Sequence, residues 1–143
     1  MTSTVVYNSE LRTTCTHLRS GSEFETDAPT DNNGKGERFS PTDLMATSLA
    51  TCMITVMGIK ARSMNIELDG IKINVEKIMK AEPRRVGGIH LFFHIPESLQ
   101  HLEEKSIHIL KQTGINCPVQ FSLHPDIEVN IDWGNWEKEN PSG

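Results

Sequence analysis

Hydrophobic and polar residues alternate with a period of two along several stretches of the chain, a pattern that is typical of β-strands with one buried face. The predicted strands cover residues 5–18, a segment around Phe24, and residues 71–78, 89–95 and 127–133. The alternation slips at Lys77 and Ile78, which indicates a bulge. The strands on either side of a turn region at residues 82–88 are predicted to form a hairpin.

The clearest local signal is the start of a helix at Ser40, Pro41 and Asp43. Ser40 can cap the free backbone N–H groups, Pro41 suits the first helical position, and Asp43 can complete a capping box. The helix is predicted to end near Ser63. Its middle is apolar or small on every face, so we expect protein on all sides of it. Its uncharged part, residues 44–59, is shorter than the ~20 residues of a membrane span, so we predict a buried helix.

Two further helices are predicted downstream. Residues 97–113 carry an apolar stripe at helical spacing, with Gly114 as the C-terminal stop. Asn116 is predicted to cap a short helix that has Cys117 as its first residue and runs through Leu123. This order of strands and helices predicts an α+β fold in which an antiparallel sheet packs on helices.

The length of 143 residues predicts one domain, residues 1–136, followed by a disordered tail at residues 137–143. Hydrophobic residues make up 36% of the chain, below the ~45–50% that is usual for globular domains. One chain is therefore expected to build only a thin core, which a partner chain would complete. Residues 27–38 are rich in Asp, Asn and Gly, and we predict a functional loop there.

The charge and the chemically active side chains exclude several classes of protein. The net charge is −5 and there is no basic run, which argues against a nucleic-acid partner or an anionic membrane surface. Three cysteines without a CxxC pair or a signal peptide indicate the reducing cytoplasm. The six histidines have no Cys or carboxylate at ligand spacing, so we predict no metal site.

The three cysteines differ in their predicted surroundings. Cys52 lies in the middle of the long helix, where the helix dipole has little effect, and alone it could be an inert small hydrophobe. Cys117 lies at a helix start that favours a thiolate, or it is a buried cap. Cys15 is predicted to be a core residue. Only the fold could bring Cys52 and Cys117 together, and one attacking thiolate with one resolving thiol is the arrangement that reduces a peroxide.

Two segments carry a combined motif. Residues 40–62 read SPTDLMATSLATCMITVMGIKAR, and residues 116–123 read NCPVQFSL. The Ser-Pro-x-Asp-Leu opening before a helical Cys, the later Cys-Pro-Val and the preceding GKGERFSP loop closely resemble the OsmC/Ohr family of osmotically inducible and organic hydroperoxide resistance proteins. The resemblance covers essentially the whole chain. Thr42 stands where the organic hydroperoxide resistance members carry Glu, which makes the chain more similar to the YhfA-like branch.

This resemblance implies an intertwined homodimer in which antiparallel sheets wrap around long central helices. It also implies that Cys52 is the peroxide-attacking thiol and that Cys117 is the resolving thiol. No cofactor is implied. An external dithiol is expected to supply the electrons.

The resemblance implies two further site residues. The family's activating Arg, which lowers the pKa of the attacking thiol, corresponds to Arg12 or Arg19, and we favour Arg12 because of the Leu-Arg before Thr-His in this sequence. The family's acidic residue corresponds to Asp43. Nine helical residues separate it from Cys52, a rise of ~13.5 Å and half a turn out of phase. Asp43 therefore either caps the helix or acts through a bridging Arg or across the dimer.

We therefore predict a thiol peroxidase that reduces organic, fatty-acid-type hydroperoxides in stress defence. Apolar helix residues around Cys52 predict a pocket suited to an alkyl hydroperoxide: Met45, Leu49, Met53, Val56 and Met57. The alternative is a non-enzymatic, stress-related homodimeric binding protein of the same fold. Titration of the Cys52 thiol separates the two, because an attacking thiol is mostly ionised at neutral pH.

Overall fold

A computed structural model describes residues 1–137 of the chain. The fold is α+β, as predicted, with two three-stranded sheets. The chain divides into two compact units, Met1–Met45 and the residues from Ala46 onward. Apart from Glu137, the predicted tail at residues 137–143 lies outside the described residues.

The first unit contains an antiparallel sheet of strands β1 (Ser3–Tyr7), β2 (Arg12–His17) and β3 (Glu23–Asp27). The prediction of one continuous strand over residues 5–18 is wrong, because a tight turn at residues 8–11 divides it. Three consecutive turn residues, Ser9, Glu10 and Leu11, have positive φ angles of 72°, 51° and 62°. No glycine or proline marks this turn, and Asn8 and Ser9 are its only turn-favouring residues, so the signal in the sequence is weak.

The predicted loop follows β3 and contains one 3-10 turn, Thr30–Asn32. Helix α1 (Pro41–Ser63) then begins with the predicted capping box. The N–H of Asp43 donates to Ser40 Oγ at 3.0 Å, and the N–H of Ser40 donates to Asp43 Oδ2 at 2.9 Å. The start and the end of this helix are both as predicted.

Replacing the cap residue tests this reading of the helix start. Ser40→Ala is expected to lower the free energy of unfolding by about 1 kcal/mol, because it leaves the N–H of Asp43 without its acceptor. Urea unfolding at fixed protein concentration measures the change. Ser98→Ala, the same change at an exposed position outside this helix, is the control and is expected to stay within about 0.5 kcal/mol of the wild type. Equal losses in the two variants would contradict the capping role.

Within the single chain, helix α1 is buried along one stripe, and its predicted burial on all sides stays a prediction that depends on a partner chain. The buried residues recur every three or four positions: Ala46, Leu49, Ala50, Met53, Met57 and Ala61. The opposite face carries exposed Thr51, Thr55 and Ile59. The sequence argument counted small and hydroxyl residues as buried, whereas within one chain they face outward.

By length and composition, α1 could cross a membrane, with a mean hydropathy of 1.5 over its most apolar window. The length of the uncharged segment, residues 44–59, is therefore not enough to exclude a membrane-spanning helix. This test is weak evidence for a membrane, because the core helix of a soluble protein meets it as well.

The second sheet consists of β4 (Lys72–Lys80), β5 (Arg85–His94) and β6 (Glu128–Asp132), in the order β4-β5-β6. The predicted hairpin of β4 and β5 is confirmed, with its irregularity between Ile78 and Met79 instead of at Lys77 and Ile78. The predicted turn at residues 82–88 is too long, because β5 already begins at Arg85. The predicted antiparallel pairing holds for β4 and β5 but not for β6, which pairs with β5 in parallel.

The helices after the hairpin are shorter than predicted. Residues 97–113 form not one helix but two, α2 (Glu97–Gln100) and α3 (Glu104–Ile115), and α4 follows at Pro118–Ser122. Gly114 does not stop α3 but lies inside it, buried. A Cβ atom there would lie 2.7 Å from the Met57 sulfur, so this glycine is explained by close packing and not by a helix end.

The apolar core lies entirely in the second unit. Its fully buried members include Met53 and Met57 of α1 and Ile89 and Leu91 of β5. In the first unit, the described buried residues are polar: Thr26, Asp27 and Ser40. The first sheet therefore lacks an apolar core of its own, and large apolar side chains such as Val5 and Phe24 are exposed.

Candidate active site

Helix α1 presents Cys52 between its buried stripe and its exposed face. The Cys52 side chain is half-buried, and it packs against the core next to buried Met53. It lies about eleven residues inside the helix, so the free N–H groups of the first turn cannot reach it. Partial exposure makes this thiol accessible to a small oxidant.

Cys117 is the N-cap of α4, so the predicted cap at Asn116 is wrong by one position. Pro118, which has no N–H group, occupies the first helical position and leaves the preceding residue extended. The Cys117 sulfur accepts the N–H of Gln120 at 3.4 Å. Its side chain has no solvent exposure. Of the two predicted alternatives for Cys117, the structure therefore agrees with the buried cap.

The fold brings Cys52 and Cys117 together although 64 residues separate them in the chain, and all three cysteines are free thiols. Burial raises the pKa of the Cys117 thiol; the Gln120 N–H opposes this shift, and the neighbouring Cys52 side chain adds to it. The helix-start argument expected a thiolate at Cys117. Burial outweighs it, because α4 has only five residues and the apolar surroundings disfavour the charged form.

Cys15 is separate from this pair in the sequence and in its environment. It lies on β2 between Val5 of β1 and Phe24 of β3. Its side chain is only half-buried, so the predicted core position is not reached within this sheet.

Of the two candidate arginines, Arg12 is the one whose side chain is held by hydrogen bonds to a buried carboxylate. Its Nε donates to Asp27 Oδ1 at 2.6 Å and its Nη2 donates to Asp27 Oδ2 at 2.8 Å. Arg19 is exposed in the turn after β2. The sequence identified the loop that begins at Asp27 but not Asp27 itself, since the pairing follows from the register in which Arg12 lies opposite Asp27.

The remaining predicted site residues are placed as follows. Asp43 caps α1 through the hydrogen bonds described above, in agreement with the capping alternative. Of the predicted pocket residues, Leu49, Met53 and Met57 are fully buried core residues, whereas Met45 is exposed. These three side chains are part of the core of the second unit and do not line a pocket, because they lie on the buried stripe of α1.

Metal ligation finds no support in the part of the chain from residue 1 to residue 137, where no group of three or more His, Cys, Asp or Glu side chains could hold an ion. Two of the histidines instead contact asparagines across the sheet. His94 Nε2 lies 3.1 Å from the Asn74 amide nitrogen, and His90 Nε2 lies 2.9 Å from that of Asn130.

The fold and the neighbouring thiols define an α+β protein with two cysteines brought together from distant parts of the chain. The model of the OsmC-like protein family matches residues 34–132. A crystal structure from Psychrobacter arcticus 273-4, of a protein named for osmotic stress induction and detoxification response, is 49% identical over 92% of this chain and 94% of that one, with a TM-score of 0.87. The chain belongs to the OsmC-like family.

More distant structures share the fold. An organic hydroperoxide resistance protein OsmC from Legionella pneumophila is 18% identical over 92% of this chain and 96% of that one, with a TM-score of 0.69. The organic hydroperoxide resistance protein OhrB of Bacillus subtilis is also 18% identical, over 92% of this chain and 97% of that one, with a TM-score of 0.60. No curated protein sequence matches the chain significantly.

Proposed function

We propose that this protein is a thiol peroxidase that reduces organic, fatty-acid-type hydroperoxides with Cys52 and Cys117. The observation that carries the proposal is the interaction between these two thiols on a fold shared with organic hydroperoxide resistance proteins. Cys52 is the more accessible thiol and Cys117 the buried one. This difference suits an attacking thiol that meets substrate and a resolving thiol that does not.

The reaction is a two-electron reduction of the peroxide. The Cys52 thiolate attacks one peroxide oxygen, the O–O bond breaks, and the alkoxide takes up a proton and leaves as an alcohol. The resulting sulfenic acid is attacked by Cys117, an S–S bond forms and water leaves. An external dithiol then reduces the disulfide by thiol–disulfide exchange. The chemistry is complete on sulfur, so the protein's own side chains suffice without a cofactor.

Thiol counting tests the proposal. One equivalent of cumene hydroperoxide is expected to lower the free thiols of the reduced protein from three to one per chain, and peptide mapping should find a disulfide between Cys52 and Cys117. Cys15 is expected to remain free. A wild-type protein that keeps three thiols under these conditions is not a peroxidase of this kind.

A specific observation also favours the second candidate, a non-enzymatic homodimeric binding protein. Cys117 is completely buried and the pKa of its thiol is raised, which is also what an inert core cysteine shows. The thiol count decides between the two functions, because an inert pair does not form a disulfide with one equivalent of peroxide.

We also propose that the protein is an obligate homodimer. The first sheet has exposed Val5, Tyr7 and Phe24 and no buried apolar side chain among its described residues, and α1 leaves Ile59 exposed on its outer face. A second copy would bury these surfaces. Sedimentation velocity at micromolar concentration is expected to give a dimer that does not dissociate on dilution without unfolding. A folded monomer would contradict the prediction.

The raised pKa of Cys117 predicts a pH dependence for the second chemical step. Only the Cys117 thiolate attacks the sulfenic acid, and its fraction falls as the pH falls, so disulfide closure should slow between about pH 9 and pH 6. Dimedone should then trap more sulfenic acid on Cys52 at the lower pH. Cys117→Ser is the control and is expected to show high trapping at every pH. Trapping in the wild type that does not change with pH would contradict this.

We place the protein in the cytoplasm, with an external dithiol and an organic hydroperoxide as its partners and with neither nucleic acid nor membrane. The three cysteines of the sequence, none in a CxxC pair, suit that compartment. Its assignment to the YhfA-like branch stays a prediction that rests on Thr42.

A further inference from the structure

Helix α4, Pro118–Ser122, follows Cys117 and is held in place by few contacts. It has five residues, none of which is buried, and a helix this short is not stable by itself in water. The Phe121 side chain is 73% exposed. Val119 and Leu123 are only partly buried against the core. The order of α4 therefore depends strongly on the bonds at its first turn.

The first turn of α4 is capped by a thiol. The Cys117 sulfur accepts the N–H of Gln120 at 3.4 Å, and the Cys117 carbonyl accepts the N–H of Phe121 at 3.3 Å. Pro118 has no N–H group to contribute. Sulfur is a weak acceptor, so the cap holds only while the sulfur stays where it lies in the reduced protein.

Formation of a disulfide between Cys52 and Cys117 requires at least one of the two sulfur atoms to move. Both residues are free thiols in this structure. Atoms that are not bonded pack at ~3.5–4.0 Å, whereas a disulfide holds its sulfur atoms ~2.05 Å apart with a torsion near ±90°. The two sulfur atoms therefore have to approach each other by roughly 1.5 Å, and the side chains have to turn to reach that torsion.

The surroundings of the two thiols determine which of them moves. Cys52 lies in α1, a helix of 23 residues in which the neighbouring Leu49 and Met53 are fully buried. A shift of this backbone would disturb close packing, and such disturbances are costly. Cys117, in contrast, begins a segment in which none of residues 118–123 is buried. We therefore expect α1 to stay in place and Cys117 to move together with α4.

We propose that oxidation of Cys52 and Cys117 to a disulfide removes the cap of α4 and opens residues 117–123, which act as a redox-dependent lid over the disulfide. When Cys117 turns toward Cys52, the Gln120 N–H loses its acceptor and the short helix frays. The closed segment keeps Cys117 away from solvent in the reduced protein, and the open segment gives an external dithiol access to its sulfur after oxidation. The use of the disulfide rests on the proposed function, but the opening requires only that the disulfide forms.

Hydrogen–deuterium exchange with mass spectrometry tests the opening by comparing the reduced protein with protein oxidised by diamide. Diamide takes two electrons and two protons from the two thiols and becomes the hydrazine, so the S–S bond forms without peroxidase activity. The disulfide is reduced after the quench, so that the same peptides are compared. Residues 116–123 are expected to exchange about tenfold faster in the disulfide form, as loss of a helix cap implies. Residues 48–58 of α1 should change less than about twofold.

Cys15→Ser and Cys52→Ser are the matched variants for this experiment. Each removes one half-buried thiol, but only Cys15→Ser keeps the pair. Cys15→Ser is expected to show the wild-type increase in exchange on diamide treatment, whereas Cys52→Ser should show none. Cys117→Ser tests the cap itself, because its hydroxyl can accept the Gln120 N–H but cannot form a disulfide. Exchange of residues 116–123 in this variant should stay slow with and without diamide.

Four results would overturn the inference. Exchange of residues 116–123 could be the same in the reduced and disulfide forms, it could increase equally in Cys52→Ser, or the increase in α1 could match the increase in α4. Diamide could also fail to form the disulfide between Cys52 and Cys117, which would show that the pair cannot close.

The two oxidants separate this inference from the proposed function. If diamide forms the disulfide and α4 opens, but cumene hydroperoxide forms no disulfide, the peroxidase function fails and the redox-dependent opening stands. If cumene hydroperoxide forms the disulfide and the exchange of residues 116–123 does not change, the opening fails and the peroxidase function stands.

Discussion

Cys52→Ser is expected to lose all reduction of cumene hydroperoxide. The first step needs an ionised nucleophile that accepts oxygen, and a serine hydroxyl is too weak an acid and cannot be oxidised to a sulfenic acid. Serine is close to cysteine in size and α1 is well anchored at this position by its buried neighbours, so the fold is expected to survive. Peroxide consumption with excess dithiol measures the loss, and the remaining rate should equal that of the dithiol alone.

Cys15→Ser is the matched control for this variant. Cys15 is also a half-buried free thiol, but it lies on β2 and belongs to the first sheet. Its substitution is expected to leave peroxide consumption at the wild-type rate. Activity that survives in Cys52→Ser, or that disappears in Cys15→Ser, would show that Cys52 is not the attacking thiol.

The difference in burial between the two thiols favours their order of reaction. A thiol that reacts first has to meet a peroxide from solution, and the half-buried Cys52 is the more accessible member of the pair. A resolving thiol that is buried and mostly protonated does not compete for the peroxide, because the thiolate is the nucleophile. The raised pKa of Cys117 is therefore compatible with a thiol that reacts in the second step. In the first step it would be a disadvantage.

Features that depend on neighbours in the sequence could be predicted. The capping box at Ser40, and with it the start of α1, depends on a few adjacent residues, because the capping side chains bond to the backbone within one turn. The β4 and β5 hairpin follows from alternation on both sides of a short turn. The cysteine motifs identified the family, although geometry alone could not pair residues so far apart in the chain.

Features set by distant contacts could not be predicted. The parallel pairing of β6 with β5 has no local signal, because an alternating strand reads the same in either direction. Gly114 looked like a helix stop until its packing against Met57 was known. Asp27 was one of several acidic residues in a polar stretch, and only the register of β2 and β3 shows that Arg12 is its partner.

Cys117→Ser is expected to allow one rapid turnover and then to stall. Cys52 can still attack the peroxide, but its sulfenic acid has no neighbouring thiol to trap it as a disulfide, and further peroxide oxidises it to the sulfinic acid, which a dithiol does not reduce. A burst of one alcohol per chain, followed by loss of activity, is the expected time course under excess hydroperoxide.

Mass spectrometry of the stalled protein identifies the cause. The Cys52 peptide should carry one or two added oxygens, whereas the wild type treated in the same way should carry the disulfide and recover with dithiol. Serine at position 117 can still accept the Gln120 N–H and cap α4, so the stall reports the missing thiol and not a disordered helix. Steady turnover of Cys117→Ser at the wild-type rate would remove Cys117 from the mechanism and leave Cys52 to act alone.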